Sequence, residues 1–577
     1  MNRLLTVAEV RKAVVCGQES KKNAFSCFPK LFPKGSGFLP PHSAFEGKRN
    51  RSFFSKGELT MARNASSRSS RSAKTYHLQK PNGQLASRVQ AVGPERFGII
   101  AVDAAKKRSR YFLADFYGNV LIPPTSVEHE HGQLQNAIGV LRTVLRSHGL
   151  RDAVVVIERT GEYHRPLQRA FRNADFETRI VHPFTSKQFR LPADPDNKTD
   201  DKDLGAIFRA ATQGFGLIEP DCPEPYLSLQ LLSRQRRDLV HKTSLLQCQI
   251  REVLHKAMPG LESQYSHLWQ SPAPLAIARV LASAAEVLQA GYEGLERILH
   301  DAGVPRRKDS IHRILDWAQQ APPGHPLAQL HRRALIALDD DRREKNRLVE
   351  ALERDLCSLA VTTPYALLLA LPGINLVSVA DLAAEMGPIH FYLDAQRITG
   401  RAGLFPARHQ SDQVDRDGPL ARRANRRLRA VLMQTAANLV HCNAHYRIRA
   451  ERWQRQGKDE RWIRVKVAKS FSRLLFVLVA GRQLVPHPAL QPRTYLLGKL
   501  LKFHFDRMVG PAQMRADLEA LCTQLPAHAR AAEIPPLQER LNELSRRRGP
   551  QPLGDILPIV LARLQAIQSE PRHEDPR

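Results

Sequence analysis

The chain has 577 residues, too many for one hydrophobic core, so we expect roughly three or four domains of about 100–200 residues each. Its formal net charge of +30 favours a polyanionic partner, most commonly nucleic acid, with an anionic membrane surface as the alternative. No run of about 18 apolar residues is present, which argues against a membrane-spanning helix. The low aromatic content of 6% argues against single-strand binding by base stacking.

The seven cysteines stand singly along the chain, without a Cys-x-x-Cys pair. This spacing predicts neither a structural zinc site nor a disulfide framework, and it fits a reducing cytosol. The first residues, MNRLLTVAEVRKAVV, lack the long apolar core of a secretory signal.

Residues 1–95 differ in composition from the rest of the chain. They are rich in Ser, Lys, Arg, Gly and Pro, as in MARNASSRSSRSAK. Such a segment buries too little apolar surface to order itself, so we predict a basic disordered extension that contacts nucleic acid without sequence preference. Translation from Met61 instead of Met1 is an equally compatible interpretation.

Residues 96–215 alternate between strand and helix signals. FGIIAVD and AVVVIE are short apolar runs typical of buried strands, and Gly-Asn between RYFLADFY and VLIP predicts a hairpin. HGQLQNAIGVLRTVLRSHG and HRPLQRAFRNA predict helices, and FETRIVHP predicts another strand. The order strand, hairpin, helix, strand, helix, strand predicts an α/β sheet covered by helices.

The remainder of the chain has helical periodicity. Residues 216–360 carry apolar residues at three- and four-residue steps, which predicts a helical or coiled-coil spacer, although plain bundle packing is equally compatible. Residues 361–482 are predicted as an arginine-rich helical domain, in which LLFVLVA at 474–480 reads as a buried helix. Residues 483–577 are predicted as a helical C-terminal extension.

Two acids close the apolar strands of the α/β region. Asp103 ends FGIIAVD and Glu158 ends AVVVIE, and ligands of open α/β sheets bind at the carboxyl ends of the strands. With a hairpin and a helix between them, these acids follow the layout of an RNase H-like sheet. Taken alone, each acid is more often a solvated strand terminus.

The stretch DPDNKTDDKD is acidic within a basic chain. Asp200 and Asp203 are three residues apart and share one face of a predicted helix, for which Asn197 or Thr199 is a candidate cap. The simpler interpretation is that acidic residues favour a helix N-terminus. Together with Asp103 and Glu158, however, they are the oxygen ligands that two Mg²⁺ ions about 4 Å apart require for phosphoryl transfer.

Two further features lie in the arginine-rich region. LPGI at 371–374 predicts a turn between helices that presents backbone N–H groups to a phosphate, or an ordinary interhelical turn. Ser411 lies in a predicted polar loop, two residues after His409. The following arginines suit contact with a nucleic-acid backbone, with a solvated basic face as the alternative. These arginines are Arg422, Arg423, Arg426, Arg427 and Arg429.

Several of these motifs, in this order, resemble the insertion-sequence-110 family of transposases, also called DEDD transposases. The resemblance spans roughly residues 98–440. The N-terminal motifs are AVDAAKK, IERTGEYHRPL and KTDDKDLGAI; the C-terminal motifs are LPGI, GLFPARHQS and ANRRLRAVLMQTA. Asp412 follows Ser411 where the family commonly has glycine.

The resemblance implies a RuvC-like (RNase H-like) α/β domain, a helical coiled-coil spacer and a mainly α transposase domain with a helix-hairpin-helix-like turn. It implies a Mg²⁺ site at Asp103, Glu158, Asp200 and Asp203, and Ser411 as the nucleophile that links transiently to DNA. It further implies transposon-end and target DNA, a non-coding guide RNA and a homo-oligomer, dimer or tetramer, as partners. The implied location is the bacterial cytoplasm, at the nucleoid.

Two alternatives stay open at this point. One is a metal-dependent RuvC-like nuclease in which the serine is idle. The other is an inactive transposase relic that binds nucleic acid and cuts nothing. Loss of Ser411 would leave cleavage intact in the first case, and strongly salt-dependent binding without cleavage would characterise the second.

Overall fold

The computed structural model describes residues 85–192, 199–323, 325–411 and 414–525. The bulk of the predicted N-terminal extension, the alternative cap Asn197, the residue Asp412 and the end of the predicted C-terminal extension lie outside these ranges.

The N-terminal region is built on a five-stranded mixed sheet of order β3-β2-β1-β4-β5. The strands are β1 Phe97–Asp103, β2 Arg108–Asp115, β3 Val120–Glu128, β4 Asp152–Glu158 and β5 Glu177–Val181. β1 pairs with β2 and β2 with β3 in antiparallel fashion, whereas β1, β4 and β5 are parallel neighbours. The predicted strands and the hairpin are confirmed, and Gly118 provides the positive φ of 97° in its turn.

Helices cover both faces of this sheet. They are α1 Leu85–Val92, α2 His131–Ser147, α3 His164–Asn173, α4 Pro183–Arg190 and α5 Asp200–Thr212. Along β1, Ile100 joins a core with α2 and α3, while its neighbour Ile99 joins a core with α1 and α5. Because successive strand residues point to opposite faces, one apolar strand supplies both cores. The predicted α/β architecture of this region is thus confirmed.

Helix α1 lies inside the segment that was predicted to be disordered up to residue 95. Its apolar residues Leu85 and Val89 are buried against the sheet, and Arg88 forms ion pairs with Asp152 at 2.5 Å and Glu177 at 2.7 Å. The order of this helix therefore comes from contacts with distant parts of the chain, which local composition does not reveal. The prediction was wrong for residues 85–95.

Two helices of 34 residues each follow, α6 Glu224–Ala257 and, after three shorter helices, α10 Ala328–Val361. Leu229, early in α6, clusters with the end of α10, and Ile250, late in α6, clusters with Leu335, early in α10, so the two helices run antiparallel. The shorter helices are α7 Pro272–Val280, α8 Ala284–Asp301 and α9 Lys308–Gln320. They share a core with the adjoining ends of α6 and α10.

The C-terminal region is helical apart from one hairpin. Its elements are α11 Leu376–Met386, α12 Ala395–Arg401, β6 Pro406–Ser411, β7 Val414–Leu420, α13 Arg426–Cys442, α14 Ala444–Arg455, α15 Glu460–Gly481, α16 Arg493–Asp506 and α17 Pro511–Gln524. One hydrophobic cluster extends from Leu356 to Leu525, and the predicted buried helix at 474–480 lies within α15.

Within the described ranges, no single helix is both long and apolar enough to cross a membrane. The pair α7 and α8 passes that test together by length and composition, with a bend of 112° between them.

Candidate functional site

Asp103 and Glu158 are the last residues of adjacent parallel strands. The register of β1 and β4 pairs Val102 with Ile157, so the two acids that follow end side by side at one edge of the sheet. The preceding residues are fully buried, whereas both acids are half-buried. The strands therefore carry two carboxylates out of the core at the same point.

Helix α5 brings its acidic first turn to the same edge. The side chain of Thr199 accepts a hydrogen bond from the backbone N–H of Lys202, so Thr199 is the N-cap. Arg110 of β2 stands opposite Asp103 and forms an ion pair with Asp201 at 2.8 Å. The start of α5 is thus fixed next to the end of β1.

Helix α4 contacts two of the predicted metal ligands. The hydroxyl of Ser186 donates a hydrogen bond to Oε2 of Glu158 at 2.8 Å. Nη1 of Arg190 donates to Oδ1 of Asp203 at 2.9 Å, and both side chains of this ion pair are largely buried. Asp200, at the start of α5, is exposed. One short helix therefore orients acids from a strand and from a neighbouring helix.

We call Asp103, Glu158, Asp200 and Asp203 the acidic edge. These carboxylates are oxygen donors of the kind that Mg²⁺ prefers. Within the described residues, they do not form a group of three whose ligand atoms all lie within 4.8 Å of one another. The chemistry of this donor set therefore fits a hard divalent cation.

Ser411 lies at the tip of an exposed hairpin. The sequence predicted a polar loop here, but Ser411 is the last residue of β6 and is paired with Val414, the first residue of β7. Arg408 of β6 and Asp415 of β7 are joined across the hairpin by a hydrogen bond of 2.8 Å. Ser411 itself is exposed. The serine therefore lies on a paired strand and not in an irregular loop.

The turn at LPGI is packed against other helices. Gly373 has a φ of 93°, and a Cβ added there would come within 2.7 Å of the backbone oxygen of Asn438 in α13. Nζ of Lys499 donates to the carbonyl oxygens of Leu371 and Ile374 at 2.6 and 2.7 Å. Burial lowers the pKa of Lys499 to about 8. These contacts give the turn a structural role in joining three helices.

The arginines of the cluster differ in exposure and in their contacts. Arg422, Arg426 and Arg427 are exposed around the start of α13. Arg429 is half-buried and donates to the backbone oxygens of Ala402, at 2.8 Å, and Ala421, so it ties down the segment before α13. Burial, followed by the charge of Arg426, lowers the pKa of Arg429.

Arg423 contacts the N-terminal region. Its guanidinium lies 3.3 Å from the ring centroid of Phe184 on α4, a cation–π contact. The sequence analysis assigned no role to Phe184, Ser186, Arg190 or Lys499. A proline two residues after the strand ETRIV, at the N1 position of a helix, was the available signal for α4.

Comparison with known proteins gives matches in both halves of the chain. Residues 100–259 match the model of the DEDD transposase domain of IS110 elements, and residues 365–451 match the transposase model of the IS116/IS110/IS902 family. The first match contains the acidic edge and the second contains the Ser411 hairpin and the arginine cluster.

Two curated proteins are similar over shorter stretches. An uncharacterised 44.8 kDa protein of insertion element IS116 from Streptomyces clavuligerus is 25% identical over 251 residues, 42% of this chain and 61% of that protein. A probable family 20 transposase from Pseudomonas aeruginosa is 25% identical over 166 residues, 28% of this chain and 48% of that protein. The chain thus covers less than two thirds of the length of either relative. Both transposase models of the IS110 family match, in the order in which the motifs were predicted, so the predicted resemblance to this family is confirmed.

Proposed function

We propose that the protein is a Mg²⁺-dependent transposase that cuts and rejoins DNA with the acidic edge and Ser411. The observation that carries this proposal is the convergence of acids from β1, β4 and α5 at one edge of the sheet. The sheet order β3-β2-β1-β4-β5 supports a RuvC-like, RNase H-like domain over residues 96–215.

Asp103, Glu158, Asp200 and Asp203 are the proposed metal ligands. Mg²⁺ bound there would stabilise the attacking and the leaving oxygen of a phosphoryl transfer. Ser186 and Arg190 hold two of the acids in place. The hydroxyl of Ser186 and the charge of Arg190 offset part of the repulsion among the acids before a metal binds.

Ser411 is the proposed nucleophile of residues 361–482. Its Oγ loses its proton and forms a bond to the phosphorus, while the bond from phosphorus to the departing strand oxygen breaks and that oxygen takes up a proton. The hydroxyl of a new strand then attacks the phosphorus, the bond from phosphorus to Oγ breaks, and the serine hydroxyl is restored. The exposed arginines Arg422, Arg426 and Arg427 are suited to the DNA backbone around such a centre, together with Arg423 when it leaves Phe184. Arg429 supports the same segment from inside.

The remaining parts of the proposal rest on family membership. The hairpin of α6 and α10 is compatible with a coiled-coil spacer over residues 216–360 that also supports a homo-oligomer. The net charge of +30 is compatible with a guide RNA as well as DNA. The C-terminal extension was predicted to begin at residue 483. Its described part shares a hydrophobic core with residues 361–482.

The test uses the purified full chain, a transcript of the region that flanks its gene, Mg²⁺ and DNA that spans the element junction. A denaturing gel detects protein that is covalently linked to DNA. We expect an adduct with the wild type and none with Ser411→Ala or Asp103→Ala. Ser244→Ala, which changes an exposed serine of the spacer, is the matched control and should retain the adduct.

The other outcomes identify different functions. Cleavage without an adduct, lost only in Asp103→Ala, would show a metal nuclease that does not use Ser411. Salt-dependent DNA binding without cleavage or adduct would show an inactive relic. An adduct that survives in Ser411→Ala would reject Ser411 as the nucleophile.

A further inference from the structure

A cysteine, a histidine and an aspartate meet in the core far along the chain from the acidic edge. Cys357 lies on α10, His504 on α16 and Asp517 on α17, and their side chains are at most 3% exposed. They are the one group of three potential metal ligands in the described part of the chain whose ligand atoms all lie within 4.8 Å of one another. Neither family match covers these residues, since the matches span residues 100–259 and 365–451.

The distances within this group are close to those between ligands of one ion. Sγ of Cys357 is 3.9 Å from Nε2 of His504 and 3.8 Å from Oδ2 of Asp517, and the last two atoms are 3.0 Å apart. A point about 2.1 Å from all three atoms exists at the centre of such a triangle, and bonds from zinc to sulfur, nitrogen and oxygen are about 2.0–2.3 Å long. An ion therefore fits with small adjustments.

A hydrogen bond of 3.0 Å between Nε2 of His504 and Oδ2 of Asp517 accounts for that pair, but hydrogen bonding accounts less well for the cysteine. The thiol is about 3.8–3.9 Å from its partners, at the outer limit even for sulfur, so it gains little from them. The Nδ1 atom of His504 is buried and has no hydrogen-bond partner within the described ranges. Nε2, the other ring nitrogen, faces the thiol and the carboxylate and is the atom that would bind an ion.

The surroundings resemble the support that metal ligands receive. Nε2 of Gln513 donates to Oδ1 of Asp517 at 2.7 Å, which leaves Oδ2 directed at the cysteine and histidine. Hydrogen bonds of this kind orient ligating carboxylates. A thiolate and a carboxylate together neutralise a divalent ion, so the occupied site would carry no net charge into the core.

We propose that Cys357, His504 and Asp517 form a structural zinc site. A water molecule takes the fourth position of the tetrahedron, because Oδ1 of Asp517 is held by Gln513. The site ties α16 and α17 to the end of the long helix α10, and the ligands come from three helices, so zinc binds as these helices assemble. The cysteine spacing predicted no structural zinc site, because these ligands are 147 and 13 residues apart and lack the short spacings of known zinc motifs.

The test measures the zinc content of the purified full chain, prepared with excess Mg²⁺ and without chelators, by mass spectrometry of the metal. We expect about one zinc ion per chain in the wild type. Cys357→Ser, His504→Gln and Asp517→Asn should each lose it. Cys248→Ser, at an exposed cysteine of α6, and Asp103→Ala, at the acidic edge, should retain it.

Two further measurements keep the proposal testable if a variant fails to fold. Refolding the wild type with Co²⁺ should give a thiolate-to-cobalt charge-transfer band that persists in Cys248→Ser. A strong zinc chelator should lower the thermal midpoint of the wild-type helical signal, and added Zn²⁺ should restore it. A wild type without zinc after refolding in Zn²⁺, or zinc retained by Cys357→Ser, would show a hydrogen-bonded core cluster instead.

Discussion

Asp103 and Glu158 close buried strands of a five-stranded sheet, whereas Ser411 closes one strand of an exposed two-stranded hairpin. Helix α4 donates hydrogen bonds to two acids of the acidic edge. Ser186 donates to Glu158, and Arg190 donates to Asp203. The exposed hairpin, by contrast, carries one cross-strand hydrogen bond between the side chains of Arg408 and Asp415.

This contrast indicates what holds the proposed catalytic groups in position in each of the two regions. Catalytic groups on packed strands and helices are held in place before any ligand binds, whereas groups on exposed segments are ordered by what they contact. We therefore expect substitutions at the acidic edge to alter metal use and chemistry, and substitutions around Ser411 to alter the alignment of DNA.

The largest expected effect is at Asp203. Asp203→Asn removes a proposed metal ligand worth several kcal/mol in the transition state, so we expect the rate of DNA cleavage to fall about 100-fold or more. Asp309→Asn is the matched control, because Asp309 is an exposed aspartate in the first turn of α9, outside the acidic edge. Equal losses in the two variants would remove Asp203 from the metal site.

The next effect concerns the turn at Gly373, in the same region as Ser411. Gly373→Ala places a methyl group against the oxygen of Asn438 at positive φ, and we expect about 2–4 kcal/mol less stability by chemical denaturation. In Gly457→Ala the φ of 74° is also positive, but nothing lies within 4 Å, so about 1 kcal/mol is expected. A similar loss in both would mean that the packing of the turn contributes little.

A substitution at Ser186 tests whether hydrogen bonds within the chain position the acidic edge. Ser186→Ala removes the hydroxyl that donates to Glu158, and loss of such a supporting bond typically costs about 10–100-fold in metal affinity. Mg²⁺ titrations of cleavage should show this shift, and Ser186→Thr should largely recover it. An unchanged Mg²⁺ requirement would show that Glu158 needs no such support.

The smallest expected effect separates two adjacent arginines. Arg422→Ala and Arg423→Ala should each reduce the salt dependence of DNA binding by about one phosphate contact. Only Arg423→Ala should also lower stability, by about 0.5–1 kcal/mol, because Arg423 lies on the ring of Phe184. Equal stability in the two variants would indicate that this contact is not maintained in solution.

The sheet was predictable because its strands are apolar runs bounded by charged residues and turn signals. The two strand-end acids and the cap at Thr199 follow from the same local patterns. Their convergence with α4 was not predictable, since Ser186, Arg190 and Phe184 act through partners that are distant in the chain.

The hairpin of β6 and β7 was missed for a different reason. PARHQSDQVDRDGPL has no alternation of apolar and polar residues, because most of the hairpin is exposed. Periodicity reports burial, so a strand pair held by backbone bonds and one cross-strand ion pair leaves no such pattern. The helix α1 was missed because its order depends on Arg88 and its distant partners.

Helix α4 is only eight residues long, yet it touches Glu158 through Ser186, Asp203 through Arg190 and the arginine cluster through Phe184. Because the backbone of such a short helix moves as one unit, a shift of α4 at Phe184 would also shift Ser186 and Arg190. A ligand that draws Arg423 away from Phe184 would therefore act on the helix that holds two proposed metal ligands. The proposed DNA contact in one region and the proposed metal site in the other would thus be coupled through α4.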